Sequence, residues 1–474
     1  MNIYKHIRTI FSVAFLSIAI YGCTDKFEDH VAITDPIIND NLFVQLSKNS
    51  NVSEFNKLLV QTGFDKIIAA SKTYTVFAPV NSAITALDPA ILSDTGRLNN
   101  FIRNHIAVSA FRTDMASDSL IIKMLNGKNL VMLQSKIDEV NIITPNKFAE
   151  NGIYHIVENA LLPKLSIWEY LSANKTTYAQ ANYITSLDNI QIYPNAPINT
   201  GDVLIDNEFI RETYNVRNEN NKFTLFLMQN TAYDAEVTKL IPYLIRGTND
   251  STRLLASAYT VRDLVFAGEL TAANLPANLI SKFGVNVPIN RSNIVQTIKA
   301  SNGLIHIMSN VNVSLADRLT PTIIEGENPS QFIPNDRRAN TYYRQRLDNN
   351  GITFRDLMVQ NHAFAFFEIA YNSPILYSTK YRVFWRAVND IQTNVFQQRL
   401  RVGGKRNTTG GVDNPLAFFP YRDVPVADYS EVLLGEFEAT TADRLLISLI
   451  GQNTITNGNN TLTLDYLKLV PILK

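Results

Sequence analysis

The strongest constraint on this chain is that it states one structural phrase twice. Residues 75–86 read TVFAPVNSAITA, and residues 224–235 read TLFLMQNTAYDA. Downstream of each, a second phrase recurs: NGIYHIV at 151–157 and NGLIHIM at 302–308. The copies are offset by 149 positions at the first phrase and 151 at the second. Two phrases in the same order at nearly constant spacing mark a duplicated unit. In the first phrase, Thr75, Val76 and Phe77 favour a half-buried strand. Pro79 has no N–H for a ladder and suits a strand end, and Asn81 is placed to cap the helix that follows. The second copy keeps Thr224, Phe226 and Asn230 but carries Met228 in place of the proline. In the second phrase, Asn151-Gly152 reads as a hairpin turn, because both residues tolerate positive φ. The strand after it alternates, with Ile153, His155 and Val157 on one face and Tyr154 and Ile156 on the other.

These residues resemble the fasciclin-like (FAS1) family. Thr75 to Pro79 with Asn81 resemble its first hallmark, NHIAVSAF with His105 resembles its second box, and NGIYHIVENALLP (Asn151, Gly152, His155) resembles its closing strand pair. The resemblance covers roughly residues 34–165. It implies a compact α+β wedge in which a small β-sandwich is flanked by helices. Residues 166–318 resemble a degenerate second copy, carried by Thr224, Phe226, Asn230, Gly303 and His306, whose second box DLVFAGEL has no histidine. A Tyr-His pair in that box accompanies receptor binding in some family members. Here the pair is Asn104-His105, so that role is not expected. His105, His155 and His306 read as histidines satisfied by hydrogen bonds inside the fold. No His/Cys/Asp cluster has metal-ligand spacing, so neither metal nor cofactor is expected.

The character changes near residue 319. LTPTIIEGENPSQFIPNDRRAN reads as a loop or linker. Strand signals then follow at short spacing, divided by Gly/Asn turns such as ITNGNNTL, which suggests an antiparallel β-sandwich over 319–474. In EVLLGEFEA, alternation places Leu433, Gly435, Phe437 and Ala439 on one face, with Glu436 and Glu438 opposite. The ending TLTLDYLKLVP resembles the last strand of jelly-roll modules common in surface proteins and carbohydrate-binding modules. Exposed aromatics beside polar groups would make a sugar site there. The candidates are Trp385, Phe418, Phe419 and Tyr421, with Arg386 or Arg422 nearby. The competing reading of Trp385 is an ordinary core residue of an alternating strand.

Lys5 and Arg8 precede the apolar run TIFSVAFLSIAIYG, the pattern of an export signal. The run is too short to span a membrane, which takes about 20 residues. It ends IAIYGC, which resembles the lipobox of bacterial lipoproteins and implies an acylated Cys23 after a signal peptide over 1–22. Cys23 is the only cysteine, so disulfides are excluded. The tether at 23–33 is acidic, and its TDKFEDH directly after Cys23 resembles the export tag of surface lipoproteins in the Bacteroidetes. The 43 basic and 43 acidic residues cancel, which gives no global pull toward nucleic acid. Arg401, Lys405 and Arg406 read as a solvated hairpin tip. No G-x-S-x-G, H-E-x-x-H or Walker A motif is present.

The expected fold is therefore α+β: two tandem fasciclin-like domains followed by an all-β, jelly-roll-like sandwich. The expected function is non-enzymatic adhesion or docking by a lipoprotein anchored through Cys23 at the outer-membrane surface. It resembles accessory glycan- or nutrient-capture proteins of SusCD-type systems, with a TonB-dependent transporter and a companion lipoprotein as partners. A free-standing adhesin is the alternative, and a polysaccharide-active enzyme stands behind both.

Overall fold

The computed structural model describes residues 39–116, 118–192, 203–333, 340–406, 412–453, 455–456 and 458–474. The signal segment, Cys23 and the acidic tether lie outside these residues. The chain divides into two compact units, Met1–Lys164 and Leu165–Lys474.

The first unit is built on a seven-stranded sheet. Its strand Tyr74–Pro79 lies between Ile106–Val108, antiparallel, and Gly152–Val157, parallel. Every residue of both Tyr74–Pro79 and Gly152–Val157 is buried. A parallel pair covered on both sides reads as a continuous apolar run, yet the expected alternation holds. Tyr154 and Ile156 enter a helix-side core with Phe55, Leu59 and Phe101. Val157 and Phe77 enter a second core with Ile122, Met132 and Ile137.

The repeated phrases do the same work in both copies. The Thr75 hydroxyl donates to the Ser109 carbonyl (2.7 Å) and accepts from the Phe111 N–H (2.8 Å). Thr224 does the same with Gly268 and Leu270, both at 2.8 Å. Asn81 corrects the sequence reading, because it does not cap its own helix. Its carboxamide oxygen accepts from the Glu54 N–H (2.9 Å), at the start of the earlier helix Ser53–Thr62. Asn230 likewise accepts from the Ala179 N–H (2.7 Å), at the start of Ala179–Ser186. The corner is thus a tertiary clamp on a preceding helix.

The Asn-Gly phrase closes the expected antiparallel hairpin in both copies, with Ala149 paired to Gly152 and Ala300 to Gly303, and its asparagine also reaches further. Asn151 is buried; it accepts from the Leu42 N–H and donates to the Ile68 carbonyl, both at 2.8 Å. Asn302 repeats this with the Ile167 N–H and the Val216 carbonyl, again at 2.8 Å. Gly152 and Gly303 are the first residues of their strands, where the parallel neighbour comes close. A Cβ would lie 2.0 Å from the Tyr74 carbonyl oxygen at Gly152 and 1.9 Å from that of Phe223 at Gly303. The phrase thus combines the hairpin turn with a helix tether and a close backbone approach.

In the second unit a four-stranded sheet, ordered Val265–Ala267, Phe223–Met228, Gly303–Met308, Ile294–Ala300, reproduces the centre of the first. Here the missing proline finds its explanation. The Met228 N–H donates to the buried Gln180 side chain (2.8 Å), whose amide donates to the Phe226 carbonyl (2.9 Å). Glu54 and Ala179 are the residues clamped by the two corner asparagines, so Phe55 and Gln180 occupy equivalent helix positions. Proline needs no acceptor for a backbone N–H, so an apolar Phe55 suffices beside Pro79. Methionine brings the N–H back, and a glutamine satisfies it.

Residues 319–474 form two main sheets. One has four strands, in the order Thr322–Glu325, Tyr466–Pro471, Lys380–Arg386, Val432–Glu438. The other has five in line, Gln331–Ile333, Glu368–Ile375, Arg444–Gly451, Phe396–Val402 and Ala417–Phe418, with Arg422–Val424 also on Phe396–Val402. A third, three-stranded sheet holds the hairpin Thr341–Leu347/Thr353–Val359 and Leu462–Leu464. The expected β-sandwich is present, with two corrections. The stretch read as a linker supplies an edge strand to each main sheet, Thr322–Glu325 and Gln331–Ile333. In EVLLGEFEA the register slips between Val383 and Phe384 of the neighbouring strand. That bulge turns Leu433 outward and buries Leu434 beside Phe437 and Ala439, since one extra residue reverses alternation.

The second copy of the repeated α+β unit and the sandwich share one hydrophobic core, which runs from Ile167 to Leu469. Hydrogen bonds stitch the join: the Ser378 N–H to the Tyr243 carbonyl (2.7 Å), the Ala442 N–H to the Ile245 carbonyl (2.7 Å) and the Tyr377 hydroxyl to the Arg318 carbonyl (2.9 Å). Arg318 is buried there, 2.9 Å from Glu236 and 3.5 Å from Asp263.

Candidate functional site

The three motif histidines are internal. His105 Nδ1–H donates to the Phe101 carbonyl (2.8 Å), and its Nε2 accepts from the Leu161 N–H (2.9 Å). His155 Nε2–H donates to the Phe111 carbonyl (2.9 Å), and His306 Nε2–H to the Leu270 carbonyl (2.9 Å). Burial lowers all three pKa values, that of His105 to about 4. These are neutral imidazoles bridging main-chain segments. Among the described residues no group of three or more His, Cys, Asp or Glu is arranged to hold a metal ion.

The sandwich separates the residues nominated as ligand contacts. Trp385 is 1% exposed and Phe419 6%, so both belong to the core and the exposed platform expected of them is withdrawn. Tyr421 and Arg422 lie at the edge of the larger sheet. There the Tyr421 hydroxyl donates to the Gly451 carbonyl (2.8 Å), and the Arg399 guanidinium lies 4.5 Å from the Tyr421 ring and 3.9 Å from that of Phe418. Phe418 is 45% exposed and Tyr421 half-buried, so both aromatics of this cluster meet solvent. Arg401 is no hairpin-tip cation: it is buried, 3.0 Å from Glu368 and 2.9 Å from Ser448. The side chains of Lys405 and Arg406 lie outside the described residues.

Arg386 lies elsewhere, on the floor of an open groove of about 570 Å³. One wall is the turn after Thr322–Glu325. Gly326 lets it pass close to the end of Leu462–Leu464, since a Cβ would sit 1.9 Å from the Leu464 carbonyl oxygen. Glu325 and Glu327 flank that glycine and both line the groove. The opposite wall is the hairpin, where Gln345 and Arg355 are direct cross-strand partners. On the floor, Arg386 donates to Asp465 (2.7 Å), to Asp348 (3.2 Å) and to the Tyr429 carbonyl (2.8 Å), with its guanidinium 4.8 Å over Phe354. Four partners fix it in place.

Asp465 and Glu325 are perturbed. Burial pushes Asp465 up to about 6; Arg386 opposes this, while Glu325 and Asp356 add to it. Glu325 is raised by burial and by Glu327, against Arg355. One carboxylate oxygen of Glu327 is buried with no hydrogen-bond partner. Acceptors on one wall thus face the donors of Gln345 and Arg355 on the other. Sequence reasoning found Arg386 and missed Glu325, Glu327, Gln345, Arg355 and Asp465. The available signal was the I-E-G-E stretch, a glycine between two glutamates beside an apolar pair.

The architecture defines a class: a duplicated α+β unit joined to a β-sandwich with a polar groove. Residues 50–163 match the model of the Fasciclin domain, so the first unit carries a fasciclin domain. Among solved structures, a FAS1 domain pair of the insect cell adhesion molecule Fasciclin I is 14% identical, over 57% of this chain and 99% of that one, with TM-score 0.23. The CBM36-1 domain of a multidomain xylanase from the hindgut metagenome of Trinervitermes trinervoides is 17% identical, over 32% of this chain and 99% of that one, at TM-score 0.21. A family 35 carbohydrate binding module from Clostridium thermocellum is 15% identical, over 32% and 99%, also at 0.21. No curated protein matches. No helix among the described residues is long and apolar enough to cross a membrane.

Proposed function

We propose that this chain is a non-enzymatic surface lipoprotein that captures a neutral, polyhydroxylated ligand, a glycan, in the sandwich groove. The carrying observation is the interleaving of acceptors (Glu325, Glu327) with donors (Gln345, Arg355) across about 570 Å³. Each sugar hydroxyl both donates and accepts, so such walls suit it. A polyanion would meet the two glutamates and find Arg386 already engaged. Cys23 supplies the lipid anchor in the outer membrane. The protein then serves a SusCD-type uptake system beside a TonB-dependent transporter and its companion lipoprotein, where tethering raises the local ligand concentration.

Titration calorimetry of the intact chain with a panel of neutral polysaccharides tests capture. Saturable heat that is lost in Arg355→Ala supports it, and no heat with any polymer counts against it. Turnover of a polymer, abolished by Glu325→Gln, would instead make the raised Asp465 and Glu325 carboxyls a hydrolytic pair. The fasciclin domain favours a second reading, a free-standing adhesin. Mild-detergent pull-down from native membranes separates the two: a stoichiometric transporter means uptake, and recovery alone means adhesion. Cys23→Ala is expected to abolish labelling by a fatty-acid analogue and release the protein from membranes.

A further inference from the structure

The sandwich groove continues along its hairpin wall. A further cavity of about 520 Å³ is lined in part by Gln345, Leu347 and Thr353. Gln345 and Thr353 also line the groove, so the two spaces are continuous. The hairpin register is regular from Thr341 to Leu347. Alternation therefore puts Tyr343, Gln345 and Leu347 on one face, with Arg355 and Thr353 as the cross-strand partners of the last two. The buried Tyr371 hydroxyl donates to the Gly326 carbonyl (3.0 Å), and its pKa is pushed up by burial, then by Tyr343 and Glu327. Tyr343 thus stands near the glutamate wall, at one end of the run, and Leu347 stands at the other.

The two faces of Thr341–Leu347 differ in kind. It is the edge strand of its sheet, and such strands are commonly guarded by charge. Here the charge lies on the far face. Arg344 donates to Asp356 (2.8 Å) and Asp390 (2.9 Å), and Arg346 to Asp390 (2.7 Å). These pairs hold the wall in place before any ligand arrives. On the groove face the strand carries no charge. Tyr343 is 61% exposed and Leu347 62%, with Gln345 between them. Apolar surface is thus left in water on both sides of a hydrogen-bonding amide. This is the aromatic platform beside polar groups that Trp385 and Phe419, being buried, do not supply. From Tyr343 to Leu347 are four steps of about 3.4 Å, a run of about 14 Å, longer than one sugar ring and room for about three.

We infer that the groove binds an internal stretch of a straight, β-1,4-linked neutral sugar chain, with Tyr343 stacked against one ring. The inference rests on the glycan reading of the groove. A β-1,4 linkage between equatorial positions keeps successive rings in line, as the strand beside them is, whereas an α-1,4 chain curls away from a straight wall. The test is calorimetry of the intact chain with the series from glucose to cellohexaose, and with maltohexaose as the curled control. Affinity is expected to rise about tenfold from cellobiose to cellotetraose and to level off by cellohexaose. Tyr343→Ala is expected to weaken cellohexaose binding about tenfold and to flatten the dependence on length. Tyr343→Phe keeps the ring and should stay within about twofold of the parent. The side chain is exposed, so thermal unfolding should be unchanged in both variants. No saturable binding of any cello-oligosaccharide, equal affinity from cellobiose to cellohexaose, equal binding of maltohexaose, or full affinity in Tyr343→Ala would each overturn the inference. If another neutral polysaccharide still gives heat that Arg355→Ala abolishes, the glycan reading survives that result. Silence across the whole panel removes both.

Discussion

The exchange of Pro79 and Phe55 in one copy for Met228 and Gln180 in the other can be tested as a thermodynamic cycle. Gln180→Leu keeps the volume but strands two buried groups, the Met228 N–H and the Phe226 carbonyl. At about 1–3 kcal/mol for each unsatisfied group, the loss is about 2–5 kcal/mol. Met228→Pro alone removes the donor that Gln180 accepts from and also a fully buried side chain, a loss of about 2–4 kcal/mol. Together the two changes recreate the apolar-plus-proline solution of the first copy. The double variant should therefore be more stable than the sum of the losses implies, by about 1–3 kcal/mol of coupling. The assay is urea denaturation followed by tryptophan fluorescence. The chain has two tryptophans, Trp168 and Trp385, and both lie in Leu165–Lys474, so the signal reports that unit alone. Strict additivity, within about 0.5 kcal/mol, would refute the claim that Gln180 replaces the proline.

Gly303→Ala forces a Cβ against the Phe223 carbonyl, and Gly152→Ala does the same at Tyr74. Each should cost more than about 2 kcal/mol in thermal or urea unfolding, whereas an exposed glycine such as Gly247 should tolerate the change. His105 is held at about 4 by burial, below its unfolded value. The unfolded chain then binds more protons between about pH 6.5 and 4, so the first unit should lose stability as pH falls through that window. NMR titration should find its imidazole neutral down to about pH 5. Asp465 is raised to about 6, so the folded state holds the extra proton and this contribution weakens as pH rises from about 4 to 6. Arg386→Met removes the opposing cation. Its destabilisation, about 3–5 kcal/mol for a stranded buried charge, should be larger at pH 8 than at pH 5, as read by denaturation at both.

The duplication was legible because its marks are local and rigid. Thr75 and Thr224 each need a hydroxyl at one place, and Gly152 and Gly303 each need the absence of a Cβ. What those residues touch was not legible. Asn81 looks like a local cap from its neighbours, but its partner is 27 positions upstream. The bulge at Leu434 is set by the adjacent strand, so alternation within EVLLGEFEA misplaced Leu433. The Pro- and Asn-rich stretch after residue 319 has the composition of a loop, yet Thr322–Glu325 is extended because the last strand offers it a ladder. The groove was hidden for the same reason: Glu325, Arg355, Arg386 and Asp465 share no local pattern and meet only through sheet pairing. Trp385 was nominated for its chemistry alone, and its strand register placed it inside.

The strand order of the sandwich also bears on when it can fold. Its first strand, Thr322–Glu325, has a single partner in the sheet, Tyr466–Pro471, which comes from the far end of the module. That partner is also the only bridge from Thr322–Glu325 to Lys380–Arg386. The four-stranded sheet therefore stays open until the final strand arrives, and its closure is a long-range, slow event. While the chain is emerging from a ribosome, the groove does not yet exist, because Glu325 and Asp465 have not met. The walls of the groove therefore come together only when Tyr466–Pro471 joins the sheet, so a chain lacking that strand would not form the groove.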